Sequence, residues 1–349
     1  APVAISDFSA DTPAGESCLL RWTAVPDAPM YELELDDELP EAGREEELSS
    51  HCVWSSRQVY TNAYHADLAA FKTNVLYWRV RALDFHGQPL TAFSSARPIH
   101  INHSQQEVLK PHIEVEYNSG GRPTPLYPVY QWIPIPGAVS YEVELLQRQP
   151  EQSFGTDPSR YRIWSKVVNS EQCYDDEPRL DPGWYYWRVR GQDGQGNPVG
   201  VWSDVCQFLV DLNKGNYSAS YGDSIVHGGG SVSYSPVDWE YDFQSYLKFP
   251  HINLGRSGDV PETMVKRFEH DVLPFHPRYL IILGGTNSLR NGDDPQQVIY
   301  WLSVLRDKCL FYNIGPIFLT LPPINPDAIY EVFQGETAVQ WREGFRTVN

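Results

Sequence analysis

Self-similarity constrains this chain more than any other property. Trp22-Thr-Ala-Val-Pro26-Asp-Ala28 returns as Trp132-Ile-Pro-Ile-Pro136-Gly-Ala138, and Tyr31-Glu-Leu-Glu-Leu35 returns as Tyr141-Glu-Val-Glu-Leu145, both 110 positions later. Tyr77-Trp-Arg-Val-Arg81 returns as Tyr186-Trp-Arg-Val-Arg190, now 109 positions later. Asp84, Gly87, Pro89 and Ser94 follow at that spacing as Asp193, Gly196, Pro198 and Ser203. Several segments repeated in one order mean two copies of one folding unit. They occupy residues 1–106 and 107–212 of the 349, and the last third has no counterpart, so three domains are expected.

Each copy reads as β. Tyr31, Leu33 and Leu35 alternate with Glu32 and Glu34, and Leu76, Trp78, Val80 and Ala82 alternate with Tyr77, Arg79 and Arg81. Turn residues follow, as in Asp84-Phe-His-Gly87 and Asp193-Gly-Gln-Gly196. About 100 residues of short alternating strands fit an antiparallel sandwich. The pattern Trp…Pro-x-Ala-x-x-Tyr with a later Tyr-Trp-Arg-Val-Arg-x-x-Asp-x-x-Gly resembles tandem bacterial fibronectin type III domains. That resemblance implies spacers or glycan-proximal accessory modules of a secreted enzyme.

Other features of the repeats have simpler readings. Trp22, Trp132, Trp78 and Trp187 fall at equivalent strand positions and are expected in the core, whereas Trp54, Trp164, Trp184 and Trp202 stay open as ligand platforms. Nine acidic residues between Glu32 and Glu47 face one basic residue, Arg44. Without the spacing of a calcium loop, this run is expected to be a solvated, mobile hairpin loop. Cys18, Cys52, Cys173 and Cys206 fall two per copy, which permits one disulfide in each or buried free thiols, and no C-x-x-C pair supports a metal. A formal net charge of −18 disfavours nucleic acid and anionic membranes. No apolar run is long enough for membrane insertion. Ala1 opens the chain without a signal sequence, which is therefore absent or removed, and an extracellular or periplasmic location is expected.

The last third, 215–349, changes pattern. Tyr217–Tyr221 and His251–Asn253 are short extended segments, and Glu262–Leu273 has helical spacing. Arg278–Leu283 and Pro316–Leu321 are apolar runs expected as buried strands, separated by a helix that Asp294 caps and Pro295 opens. Strands alternating with helices indicate a parallel sheet, whose ligands gather at the carboxyl ends of its strands. Gly222-Asp223-Ser224, Asn253-Leu254-Gly255 and Gly285-Thr286-Asn287 fall there. A serine at a strand-to-helix turn can act as a nucleophile, with the helix N-terminus favouring negative charge. A glycine N–H and an asparagine amide can receive a developing oxyanion.

These three blocks, in order, resemble the SGNH (GDSL) hydrolase family. The resemblance implies a three-layer α/β/α flavodoxin-like domain, with Ser224 as nucleophile and Gly255 and Asn287 in the oxyanion hole. Asp223, His227, Gly285 and Ser288 are expected to line the substrate site. The family's third block ordinarily has Asp where Ser288 stands here. The family also takes its base from a late Asp-x-x-His block, yet none occurs after Asn287 and no histidine follows His276. The expectation is that the sequence lacks its C-terminal end. His227 is a weak substitute as base, and His251, His270 and His276 read as surface or strand-flanking residues. The reading is a secreted serine esterase acting on an ester-bearing small molecule or an acylated glycan, plausibly O-acetyl polysaccharide. No cofactor or metal is required. The alternative is a glycan-binding or surface protein whose SGNH domain lacks a base.

Overall fold

A computed structural model of the chain describes residues 1–114, 117, 123–228, 242–323 and 338–349. In the first copy β1 (Ser17–Arg21) pairs antiparallel with β4 (Ala63–Asp67). A second antiparallel sheet has the order β3 (Cys52–Val59), β2 (Met30–Asp36), β5 (Val75–Leu83), β6 (Arg97–His100). Leu20 and Trp22 meet Leu33, Leu35, Trp78 and Val80 in one core. The second copy repeats the plan. β7 (His112–Ile113), β8 (Val129–Ile133) and β11 (Gln172–Tyr174) form one sheet. β9 (Ser140–Leu146), β10 (Arg162–Val168), β12 (Gly183–Gln192), β13 (Pro198–Val199) and β14 (Cys206–Val210) form the other. Trp132 and Trp187 share its core with Val143, Leu145 and Val189. The four repeat-equivalent tryptophans are therefore core residues, as the alternation required.

The polar faces of these strands are buried too, which corrects the reading of the acidic run at Glu32, Glu34 and Asp36, whereas its later members from Asp37 to Glu47 lie in an exposed loop as expected. Arg81 Nε lies 2.7 Å from Glu32 Oε2, and Arg79 Nε bonds Glu34 Oε1. The segment after β2 folds over this row: the carbonyls of Glu46 and Glu47 accept from Arg81 and Arg79, both at 2.7 Å. Phe93 lies 4.4 Å from each guanidinium carbon. The outer acidic side chains, such as Glu38 and Glu41, stay exposed as expected. In the second copy Glu144 pairs with Arg188 at 2.6 Å and Glu142 with Arg190 at 2.7 Å, under carbonyls of residues 152–157. Trp202 takes the place of Phe93, 4.6 and 4.8 Å from Arg188 and Arg190. Trp202 is thus a buried lid on two cations and cannot be a ligand platform, while Trp184 remains half-exposed. Burying charge is tolerated here because each carboxylate meets a guanidinium whose other protons reach carbonyls.

All five cysteines are free, so the permitted disulfides do not form. Asp36 extends the acidic row of β2, and neither of its buried carboxylate oxygens has a hydrogen bond of good geometry, though Ser49 and Glu34 lie beside it. Burial first, and then the Glu34 charge, pushes its pKa up to about 7.

The last third is a parallel sheet of order β16 (His251–Asn253), β15 (Ser218–Gly222), β17 (Tyr279–Leu283), β18 (Gly315–Phe318). One face packs Ala219, Tyr221, Leu280 and Ile282 against α2 (Pro261–Asp271) and α4 (Pro295–Phe311). Asp294 caps α4 through its side chain, and Pro295 opens it. The opposite face carries Gln244 of the 3-10 turn Phe243–Tyr246. A final helix, α5 (Ala338–Val348), brings Phe345 against Leu289 and Val298. β18 is shorter than the expected Pro316–Leu321, and Ile317 and Phe318 are exposed, because β18 is the edge among the described strands. Among the described residues no helix is long and apolar enough to cross a membrane.

Candidate active site

The chain leaves β15, adds β16 on one side, then returns to add β17 on the other. The order therefore reverses at β15, and ligands of open α/β sheets bind outside the carboxyl end of such a strand. Ser224 stands there, as the first residue of α1 (Ser224–His227). Asp223 precedes it as N-cap, its Oδ1 accepting from Ile225 N at 3.0 Å. Gly222 has no alternative, since a Cβ would fall on the Leu283 carbonyl of β17. Ser224 Oγ and N–H are engaged by no other described residue. α1 is a single turn, so its dipole supplies less than the expected helix would.

Gly255 is brought against this turn. A Cβ on it would strike the backbone of Val226 and His227. Its N–H does not stand free as expected: it donates to Asn253 Oδ1 at 2.8 Å. Asn253 turns its amide to the Val226 and His227 carbonyls at 2.8 and 3.1 Å, tying β16 to the turn that bears Ser224. Asn287 sits in α3 (Thr286–Arg290) behind Gly285, whose φ of 127° suits glycine. One Asn287 amide proton goes to the Asp259 carbonyl at 2.9 Å, leaving the other. Ser288 is buried one residue further on.

The Asp223 carboxylate is buried, and its Oδ2 accepts no hydrogen bond. Burial raises its pKa to about 6 against the Ile225 N–H bond, and the Asp259 charge adds to the rise. His227, expected at the substrate, is instead a structural residue. Its Nε2 lies 2.7 Å from the Tyr127 carbonyl, and its Nδ1 accepts from Ser257 N at 3.0 Å. Full burial lowers its pKa to about 4. His251 is half-buried as the first residue of β16, with Ser218 Oγ at 2.9 Å from Nδ1 and Ser220 Oγ at 2.7 Å from Nε2. His270 bonds Asp271 at 2.6 Å, and His276 takes a left-handed turn. Among the described residues no histidine side chain is hydrogen-bonded to Ser224.

A supporting network escaped the sequence reading. Arg267 is buried in α2 and bonds Asp259 at 2.6 Å, Asp271 at 3.0 Å and the Leu254 carbonyl at 2.9 Å. Tyr127 of the second copy donates to Asp271 at 2.7 Å, and Leu126 N donates to the Asn253 carbonyl at 2.9 Å. The helical spacing of Met264, Arg267, Phe268 and Asp271 on one face was the available signal.

The GDSL-like Lipase/Acylhydrolase family model matches residues 220–349. No curated protein matches the chain. Among solved structures, a GDSL-like lipase from Bacteroides thetaiotaomicron is 15% identical, over 38% of this chain and 60% of that one, with a TM-score of 0.30. An acetylxylan esterase from Geobacillus stearothermophilus is 18% identical, over 40% and 72%, with a TM-score of 0.29. The chain spans 49%, 60% and 56% of the length of three such structures.

Proposed function

We propose that the α/β unit is a serine ester hydrolase of the SGNH type. Ser224 Oγ would attack an acyl carbonyl to give an acyl-enzyme, which water then hydrolyses. The Ser224 N–H, the remaining Asn287 amide proton and, once released from Asn253, the Gly255 N–H would receive the oxyanion. The observation that carries this reading is the convergence of three blocks at the strand end where the sheet order reverses. The family match over the same residues supports the reaction class. The chemistry also needs a base for the Ser224 proton, and we assign that role to none of the described histidines: in the α/β unit His227, His251 and His270 are committed elsewhere.

The two β units would be fibronectin type III-like modules beside this site, and the substrate an O-acyl ester, plausibly on a polysaccharide, met outside the cytoplasm. The test is hydrolysis of p-nitrophenyl acetate by the full-length gene product. Ser224→Ala should abolish turnover while leaving the melting temperature in place. Undiminished turnover by that variant would reject Ser224 as nucleophile.

A further inference from the structure

The repeat supplies an internal control for one cluster outside the candidate active site. From Leu33 to Asp36, β2 and β3 of the first copy share their register with β9 and β10 of the second. Asp36 faces Cys52 as Leu146 faces Arg162, and one bulge later Leu35 faces Trp54 as Leu145 faces Trp164. In the second copy Arg162 is a third cation in the row, 2.6 Å from Glu144 and 2.7 Å from Glu142. In the first copy that arginine is Cys52, and the apolar Leu146 is the carboxylate Asp36. The exchange removes one positive charge and adds one negative charge at equivalent places. Two guanidiniums, Arg79 and Arg81, then face three buried carboxylates, with Arg57 at the exposed rim 3.6 Å from Glu32.

The ligand atoms of Glu34, Asp36 and Cys52 all lie within 4.8 Å of one another. Asp36 is wholly buried, and neither of its oxygens has a hydrogen bond of good geometry, with the Ser49 hydroxyl and the Glu34 carboxyl as polar neighbours and no cation among the described residues bonded to it. An uncompensated buried carboxylate is costly, so a partner of opposite charge is called for. Glu34 is already held by Arg79 on one oxygen and by Ser49 N at 3.3 Å on the other. Cys52 Sγ is pointed at the Trp54 carbonyl, 3.3 Å away.

We propose that Glu34, Asp36 and Cys52 bind a divalent, thiophilic cation of the Zn2+ class, which replaces in the first copy the guanidinium that Arg162 supplies in the second. One sulfur and two carboxylate oxygens are a donor set for zinc, with a fourth position left to solvent. Binding forms the metal–sulfur bond and breaks the S–H bond of Cys52, whose proton leaves to solvent. Thiolate and three carboxylates then meet two guanidiniums and one dication, so the buried row is neutral. The site lies outside the Ser224 region and is independent of the esterase reading.

The test uses the full chain, stripped by chelator and dialysed, with Co2+ and Zn2+ as the only added ions. One Co2+ should bind per chain with a thiolate-to-metal charge-transfer band that Zn2+ bleaches, and Zn2+ should raise the melting temperature. Cys52→Ser should erase the band and weaken Zn2+ binding beyond the roughly 10–100-fold that loss of a supporting partner costs. The double variant Asp36→Leu, Cys52→Arg installs the second copy's pair. It should fold without metal and show a melting temperature indifferent to Zn2+. Absence of the band in the wild-type chain, its survival in Cys52→Ser, or equal Zn2+ uptake by the double variant would each overturn the site.

Discussion

The two copies share a register, a core and a ladder of buried glutamates and arginines, yet they are used differently. The contrast is sharpest at one repeat-equivalent position. Ser17 in the first copy donates to Glu107 of the segment joining the copies, at 3.0 Å. Tyr127 in the second reaches Asp271 of the α/β unit, and its carbonyl holds His227, three residues after Ser224. Leu126 and Tyr127 belong to the core of the α/β unit. A common scaffold can therefore be a link in one copy and a structural part of a neighbouring domain in the next. The difference lies in the residues at the start of β1 and just before β8, its equivalent in the second copy.

The ladder offers the largest expected effect. Glu144→Ala strands the buried Arg188 guanidinium and leaves Arg162 with Glu142 alone, and should cost about 3–5 kcal/mol in denaturant unfolding. Glu34→Ala strands one guanidinium and relieves the crowding on Asp36, so it should cost less. An equal loss would show that the two ladders are energetically the same. Next comes the docking. Tyr127→Phe removes a bond to a charged acceptor, worth about 1.5–3 kcal/mol, and should lower hydrogen-exchange protection around His227. Ser17→Ala should leave that region untouched, and matching losses there would contradict the separate roles.

The Asp223 carboxyl gives a pH signature confined to the docked half. Its folded pKa near 6 exceeds the ordinary 3.8. Between those values the folded chain keeps a proton that the unfolded chain has released, so stability falls as pH rises and the loss is complete above about 6. Asp223→Asn should remove up to about 3 kcal/mol of this slope between pH 4 and 7. The buried His227, at about 4, works in the opposite direction as pH falls below 6.5, and a slope unchanged in Asp223→Asn would exclude the carboxyl as its source. The smallest effect should come from Trp202→Phe, which gives the second copy the aromatic of the first. It forfeits the Nε1 bond to the Asp157 carbonyl, about 1 kcal/mol by chemical denaturation, and a loss several times larger would mean that indole and phenyl are not equivalent covers.

The repeat was legible because it is written twice, and the strand alternation in Tyr31–Leu35 correctly separated core from polar faces. It could not tell that Glu32 and Glu34 are covered, because a charged stripe reads as solvent-facing until its arginine partners on β5 are in register beside it. In the α/β unit the blocks around Ser224, Gly255 and Asn287 were readable as motifs at strand ends. The Asn253 bond to the Gly255 N–H was not, since it depends on a side-chain rotamer. Nor was the commitment of His227, whose partner Tyr127 lies 100 residues earlier in a different unit. Local spacing finds the groups that could react, whereas long-range contacts decide which are already occupied.

The Tyr127–His227 contact has a consequence for how this chain can be divided. A cut in the connection near residue 212 looks harmless on the domain map, but it would unseat a carbonyl that the turn bearing Ser224 leans on. The second copy and the α/β unit are thus joined through the contacts of Leu126 and Tyr127 as well as through the peptide between them. The α/β unit and its neighbour would be exchanged between proteins as a pair or would need residues 123–128 carried along.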